Sequence, residues 1–91
     1  MYYVLYYRTI ENYIEKRVPF RQMHLDYAAA SQDRGELILG GSFSEPDNGA
    51  MLIFKTEDPS VVIEFAKKDP YVVNGLISDW NVRGWNVIIG N

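Results

Sequence analysis

His24 is the one histidine of the chain, and with no cysteine present it is the side chain best suited to moving protons near neutral pH. A plainer account stands beside that one, in which a helix histidine is tied by a hydrogen bond to a neighbouring strand. Asp69 is the candidate partner: a carboxylate accepting the imidazole Nδ1 hydrogen fixes the tautomer and stabilises an imidazolium formed in turnover. Asp69 also precedes Pro70, the arrangement of a helix N-cap, and Asp58-Pro59 repeats it. Two oxygens allow one carboxylate both tasks. Arg17 and Arg21 lie four apart and precede His24 by seven and three positions, which lets all three border one pocket for an anionic substrate. Pairing of at least one arginine with a surface carboxylate is the simpler alternative. Gly40-Gly41-Ser42 offers backbone N–H groups to a ligand, although glycines in a strand more often relieve close approach. Trp80, Trp85 and the N-terminal tyrosines suit either an aromatic site or core and interface packing, and Arg83 between the tryptophans suits a cation-π or ion-pair contact.

The elements that must position these residues are legible in order. Residues 2–8 form an almost unbroken β-branched, aromatic and aliphatic run, predicted as a central strand buried on both faces. After a polar connection at 9–12, residues 14–34 carry helix formers, with Pro19 tolerable only in or before the first regular turn and Gly35 as the stop. A wheel at 100° per residue groups Phe20, Met23, Tyr27, Ala30 and Ser31 on one face, with His24, Arg17 and Ala28 beside them. Residues 36–43 read as a strand alternating Leu37 and Leu39 against Ile38, 44–49 as a turn containing Asn48-Gly49, and 50–55 as the hairpin partner. Asp58-Pro59 opens a short second helix with Val61, Val62 and Phe65 on one face; Asp69-Pro70 opens a single turn ending near Gly75. Residues 77–89 form the last strand, where a bulge at Gly84 would bring Trp80 and Val82 to the same face as Trp85, Val87 and Ile89.

This β-α-β-β-α-β order predicts an α+β, ferredoxin-like fold: an antiparallel sheet with two helices on one face. Both phases of 2–7 and 51–54 are apolar, so the uncovered face is expected to meet a second copy in a homodimer.

Ninety-one residues make a single domain, and folding at that size buries roughly three-fifths to two-thirds of the unfolded surface. A net charge of -3 disfavours phosphate backbones and anionic lipid surfaces, so no nucleic-acid partner is expected. No run approaches the roughly 20 apolar residues of a membrane helix, and residues 1–8 lack the basic start of a secretory signal, which together predict no membrane association. Without cysteine, and with one histidine, no metal site is expected; the cysteine-free composition suits the cytoplasm.

Arg17, Arg21-Gln22-Met23-His24-Leu25, Leu37-Ile38-Leu39-Gly40-Gly41, Pro46-Asp47-Asn48-Gly49-Ala50 and Lys68-Asp69-Pro70-Tyr71-Val72, followed by Asn74-Gly75-Leu76 and Trp80 to Trp85, together resemble the YciI-like family over nearly the whole chain. The resemblance implies one YciI-like domain over 1–91, a dimeric α+β barrel, no cofactor, and a pocket centred on a His/Asp pair that maps to His24 and Asp69. The chain departs from the family pattern in carrying Gly41-Ser42 where many relatives have Gly-Pro, and Gly84 where relatives often carry proline. The expected function is cofactor-independent acid-base chemistry, an isomerisation or an elimination such as dehydrochlorination, on a small cyclic or aromatic metabolite. In it His24 and Asp69 are catalytic, and Arg17, Arg21, Ser42 and Tyr71 bind the substrate. The alternatives are a non-catalytic dimeric module that binds a small molecule or serves as an accessory subunit, and a purely structural dimer.

Overall fold

A computed structural model of the chain describes residues 1–90. The elements run β1 (Tyr2–Thr9), α1 (Tyr13–Lys16), a 3-10 turn (Val18–Phe20), α2 (Arg21–Asp33), β2 (Leu37–Ser42), β3 (Gly49–Lys55), α3 (Pro59–Lys68), α4 (Pro70–Val73) and β4 (Ile77–Trp85). The strands form one sheet in the order β2-β3-β1-β4 with every neighbouring pair antiparallel, so β1 and β3 are central as the sequence predicts. This is the ferredoxin-like α+β fold.

Alternation along β1 divides the sheet's two faces. Tyr3, Leu5 and Tyr7 pair with Phe54, Leu52 and Ala50 on one side and with Gly84, Val82 and Trp80 on the other. They join Val62, Phe65 and Ala66 of α3 and Tyr71 of α4 in the core. Leu5, Phe54 and Val62 are fully buried, each worth about 1.5–3 kcal/mol of transfer free energy. The opposite phase, Val4 and Tyr6 with Ile53, Met51, Arg83 and Asn81, lies on the second face of the sheet.

Four local expectations are corrected. Residues 14–34 do not form one helix: Pro19 has no N–H to donate, and the chain passes from α1 to α2 through the 3-10 turn, closed by Phe20 N–H donating to the Arg17 carbonyl at 2.8 Å. The inward stripe of α2 is Phe20, His24, Tyr27, Ala28 and Ser31, whereas Met23 is 55% exposed, so His24 lies on the stripe rather than beside it. In β2 the register slips between Leu37 and Leu39, which buries Leu37, leaves Leu39 exposed, and returns Gly40 and Ser42 opposite Leu52 and Ala50 on the core face. β4 ends at Trp85 and pairs with β1 without a break at Gly84; its irregularity falls instead between Arg8 and Thr9 of β1, against Ser78. Trp85 therefore stays on the face opposite Trp80, and residues 86–90 continue without strand pairing, with Ile88 and Ile89 exposed.

The proline caps behave as predicted. Asp58 accepts from Ser60 N–H at the start of α3, and Asp69 accepts from Tyr71 N–H at the start of α4. Gly75 then turns the chain into β4 with φ +76°, a left-handed conformation that glycine adopts without a Cβ penalty.

Gly49 marks the tightest point of the β2-β3 hairpin: a Cβ there would lie 2.8 Å from the Tyr7 carbonyl oxygen and 3.0 Å from the Phe43 ring. Gly49→Ala is expected to lower unfolding free energy by about 1–3 kcal/mol, because backbone of the central strand must move to admit the methyl. Urea denaturation of the two proteins measures this, and equal midpoints would show that the hairpin relaxes freely.

Candidate active site

The site is assembled by three elements that meet at one carboxylate. Asp69 closes α3, its N–H donating to the Phe65 carbonyl at 3.0 Å, and opens α4 by capping the Tyr71 N–H with Oδ1, also at 3.0 Å. The side chain is fully buried. From β1, the Tyr7 hydroxyl donates to Asp69 Oδ2 at 2.7 Å; from α2, His24 Nδ1 lies 2.8 Å from Asp69 Oδ1. A buried carboxylate without partners would be costly, and this one is met from every side.

The protonation pattern follows from the partners. Against an ionised Asp69, which can only accept, the donor is Nδ1–H, and this tautomer leaves Nε2 as the basic nitrogen on the far side of the ring. The ring itself is clamped: it stacks on Tyr71 with centroids 3.9 Å apart and planes 6° from parallel. Tyr71 in turn meets Tyr13 edge to face at 5.7 Å, and the Arg17 guanidinium lies over the Tyr13 ring at 5.2 Å. Tyr27 ties α2 to the end of α3 by donating to the Phe65 carbonyl at 2.9 Å. The result is an imidazole with little freedom to turn.

Burial above all, then the negative charge of Asp69, pushes the Tyr7 hydroxyl far above the ordinary tyrosine range, so it remains a donor. Burial likewise pushes Tyr71 up to about 12, partly opposed by the positive charges of Arg17 and Arg21. Tyr27 is raised by burial first and Asp69 second.

His24 opens on a cleft of about 520 Å³ between α2 and β2. The cleft exists because the positions facing it are small: Ala28 on the inner stripe of α2, Gly40 and Ser42 on the core phase of β2, and Ala50 opposite on β3. Arg17, Arg21, His24, Ser42 and Tyr71 all line it, while Asp69 stands behind His24 without reaching the opening. Tyr71 contributes only a 2% exposed remnant, its ring being spent on His24 and the core. Among the described residues no Asp or Glu lines this cleft, although the chain as a whole carries -3. Trp80 instead packs against the core, and Arg83 and Trp85 border a separate hollow with Val4 and Tyr6 on the other face of the sheet.

Sequence reasoning missed Tyr7. Its signal was the phase it shares with Leu5, since a tyrosine buried in a strand needs a partner for its hydroxyl. Among the described residues no group of three or more His, Asp or Glu is arranged to hold a metal, and the Asp69 oxygens are already engaged.

The sequence profile of the YCII-related domain matches residues 1–86. The chain belongs to the YCII-related family. An uncharacterised protein of Haemophilus influenzae is 30% identical, over 91% of this chain and 94% of that one. Among solved structures, the 5-chloro-2-hydroxyhydroquinone dehydrochlorinase of Burkholderia phenoliruptrix, determined with 2,5-dihydroxybenzoquinone, aligns with a TM-score of 0.79 at 21% identity, covering 94% of each chain. That similarity shows the shared fold. No helix among the described residues of this YCII-related protein is long and apolar enough to cross a membrane.

The raised tyrosines set an alkaline limit on stability. Tyr7 and Tyr71 hold their protons more tightly folded than unfolded, where a tyrosine titrates near 10.0. Their contribution is therefore whole below pH 10 and is lost above it, through about 12 for Tyr71 and beyond for Tyr7. Denaturant midpoints should hold steady up to pH 10 on this account and then fall. Ultraviolet phenolate absorbance should show these two ionising well above pH 10 while the chain stays folded; their ionisation near pH 10 in a folded protein would contradict the buried geometry.

Proposed function

We propose that this protein is a cofactor-independent enzyme that uses the His24/Asp69 pair for acid-base chemistry on a small cyclic or aromatic anion. The observation that carries the reading is a clamped histidine whose Nδ1 is held by a buried carboxylate, beside a cleft lined by two arginines and no acid. His24 Nε2 takes a proton from a carbon made acidic by a neighbouring carbonyl or enol, and Asp69 stabilises the imidazolium that results. In an isomerisation the proton returns to a second carbon as the double bond moves. In an elimination the C–H electron pair becomes the new double bond and the leaving group departs with the electrons of its own bond. Arg17 and Arg21 attract the negative charge, and Ser42 and the edge of Tyr71 touch the ligand. The dehydrochlorinase named above acts, as its name says, on 5-chloro-2-hydroxyhydroquinone within the same fold, which supports this reaction class.

The cap that Asp69 provides to α4 favours a second reading, in which the pair serves structure alone and the cleft binds without turnover. We further read the open sheet face, with Val4, Tyr6, Met51 and Trp85, as the interface of a homodimer, and the cytoplasm as the place where a cysteine-free chain of this kind acts.

Turnover of a panel of chlorinated hydroquinones, lactones and enolisable cyclic acids tests the enzyme reading. On a substrate that is turned over, His24→Gln should lower kcat by about 10²–10⁴-fold, and Arg21→Ala should raise KM more than it lowers kcat. Full activity in His24→Gln would remove His24 from the chemistry, and retained ligand binding with no turnover of any panel member would move the reading to the binding module. Gly40→Ala should narrow the cleft and weaken binding of larger ligands while the fold persists, since a Cβ at Gly40 meets Leu52 at 3.4 Å. Light scattering that reports a monomer at micromolar concentration would remove the dimer.

A further inference from the structure

The two oxygens of Asp69 are not equally provided for. Oδ1 accepts from the Tyr71 backbone N–H and from His24, whereas Oδ2 has, among the described residues, a single partner, the Tyr7 hydroxyl. Among the described residues no lysine or arginine forms an ion pair with this carboxylate, so hydrogen bonds and His24 alone balance its charge. Of those donors, only the Tyr7 hydroxyl can be removed without disturbing the backbone or the imidazole. Tyr7 is also rigid: it is 1% exposed, sits in the central strand, and is flanked by Ala50 on β3 and Trp80 on β4.

We propose that Tyr7 is a positioning residue of this centre, whose hydroxyl anchors Asp69 Oδ2 and limits the charge that Oδ1 presents to His24. The proposal deepens the acid-base reading of the cleft and depends on it for its catalytic consequence. A carboxylate shared among more donors is a weaker acceptor for each. Without the Tyr7 hydroxyl, Oδ1 carries more of the charge, the bond to Nδ1–H tightens, and the imidazolium is favoured over the free base. Tyr7 thus keeps His24 unprotonated, and able to take a proton, at a lower pH than Asp69 alone would allow.

The other groups facing His24 do not duplicate this role. Tyr71 from α4 stacks on the ring, and Tyr13 from α1 supports Tyr71. Arg17, before the 3-10 turn, and Arg21, on α2 itself, line the same cleft as cations, and neither bonds to Asp69. Tyr27 has its hydroxyl committed to the Phe65 carbonyl.

Heteronuclear NMR titration of His24 in the full chain, free of ligand, tests this in Tyr7→Phe with Tyr27→Phe as control. In Tyr7→Phe we expect the His24 midpoint to rise by about half a pH unit or more and the Nδ1 proton to move downfield, with Tyr27→Phe unchanged. An unmoved midpoint in a well-dispersed Tyr7→Phe spectrum overturns the proposal, and so does an equal rise in Tyr27→Phe. Should Tyr7→Phe not fold, the wild-type Tyr7 hydroxyl proton decides instead: it should shift as His24 titrates, and a resonance indifferent to that titration overturns the assignment. No substrate enters these measurements, so their failure is separate from a failure of the enzyme reading, which appears as absent turnover in the wild-type protein.

Discussion

A carboxylate sealed from water must be satisfied where it lies, and in this protein that requirement gathers the structure around Asp69. Its donors come from β1, from α2 and from the first turn of α4, so the sheet, the long helix and the α3-α4 corner all have to arrive together for the charge to be tolerated. The same contacts remove rotational freedom from His24, already stacked on Tyr71, and point its basic nitrogen away from the core. Structural satisfaction of Asp69 and presentation of the imidazole are one arrangement. This is why capping and chemistry need not compete as explanations of the Asp-Pro pair.

The cleft beside His24 has an equally simple origin. Where Leu5, Leu52 and Phe54 fill the middle of the sheet, the neighbouring positions toward β2 are Ala28, Gly40, Ser42 and Ala50, and the volume they leave is open to solvent at the Arg17 and Arg21 rim. Two cations without a matching acid make this a positive recess on an acidic chain. A recess of that charge attracts small anions on general electrostatic grounds.

Much of the fold was legible in the chain because its signals are local. The caps at Asp58-Pro59 and Asp69-Pro70, the stop at Gly35, and the apolar runs of β1 and β3 each act within a few residues, and together they order the elements. Phase was harder. Choosing the stripe through His24 over that through Met23 depends on how α2 lies across the sheet, and the bulge opposite Ser78 rather than at Gly84 depends on pairing with β1. The exposed Leu39 likewise follows from a slip in β2 that no propensity encodes.

By itself, then, the sequence determined the order of the strands and main helices, the Asp-Pro pairs that start α3 and α4, and the short list of side chains able to exchange protons or hold an anion. It did not determine the break at Pro19 or the end of β4 at Trp85. Only the tertiary structure decided that His24 and Asp69, 45 positions apart, share a hydrogen bond, and that Tyr7, 62 positions from Asp69, completes it. The physical reason is range: caps and periodicity act over a turn or a strand, whereas partners for a buried charge are chosen by whatever packing brings within 3 Å.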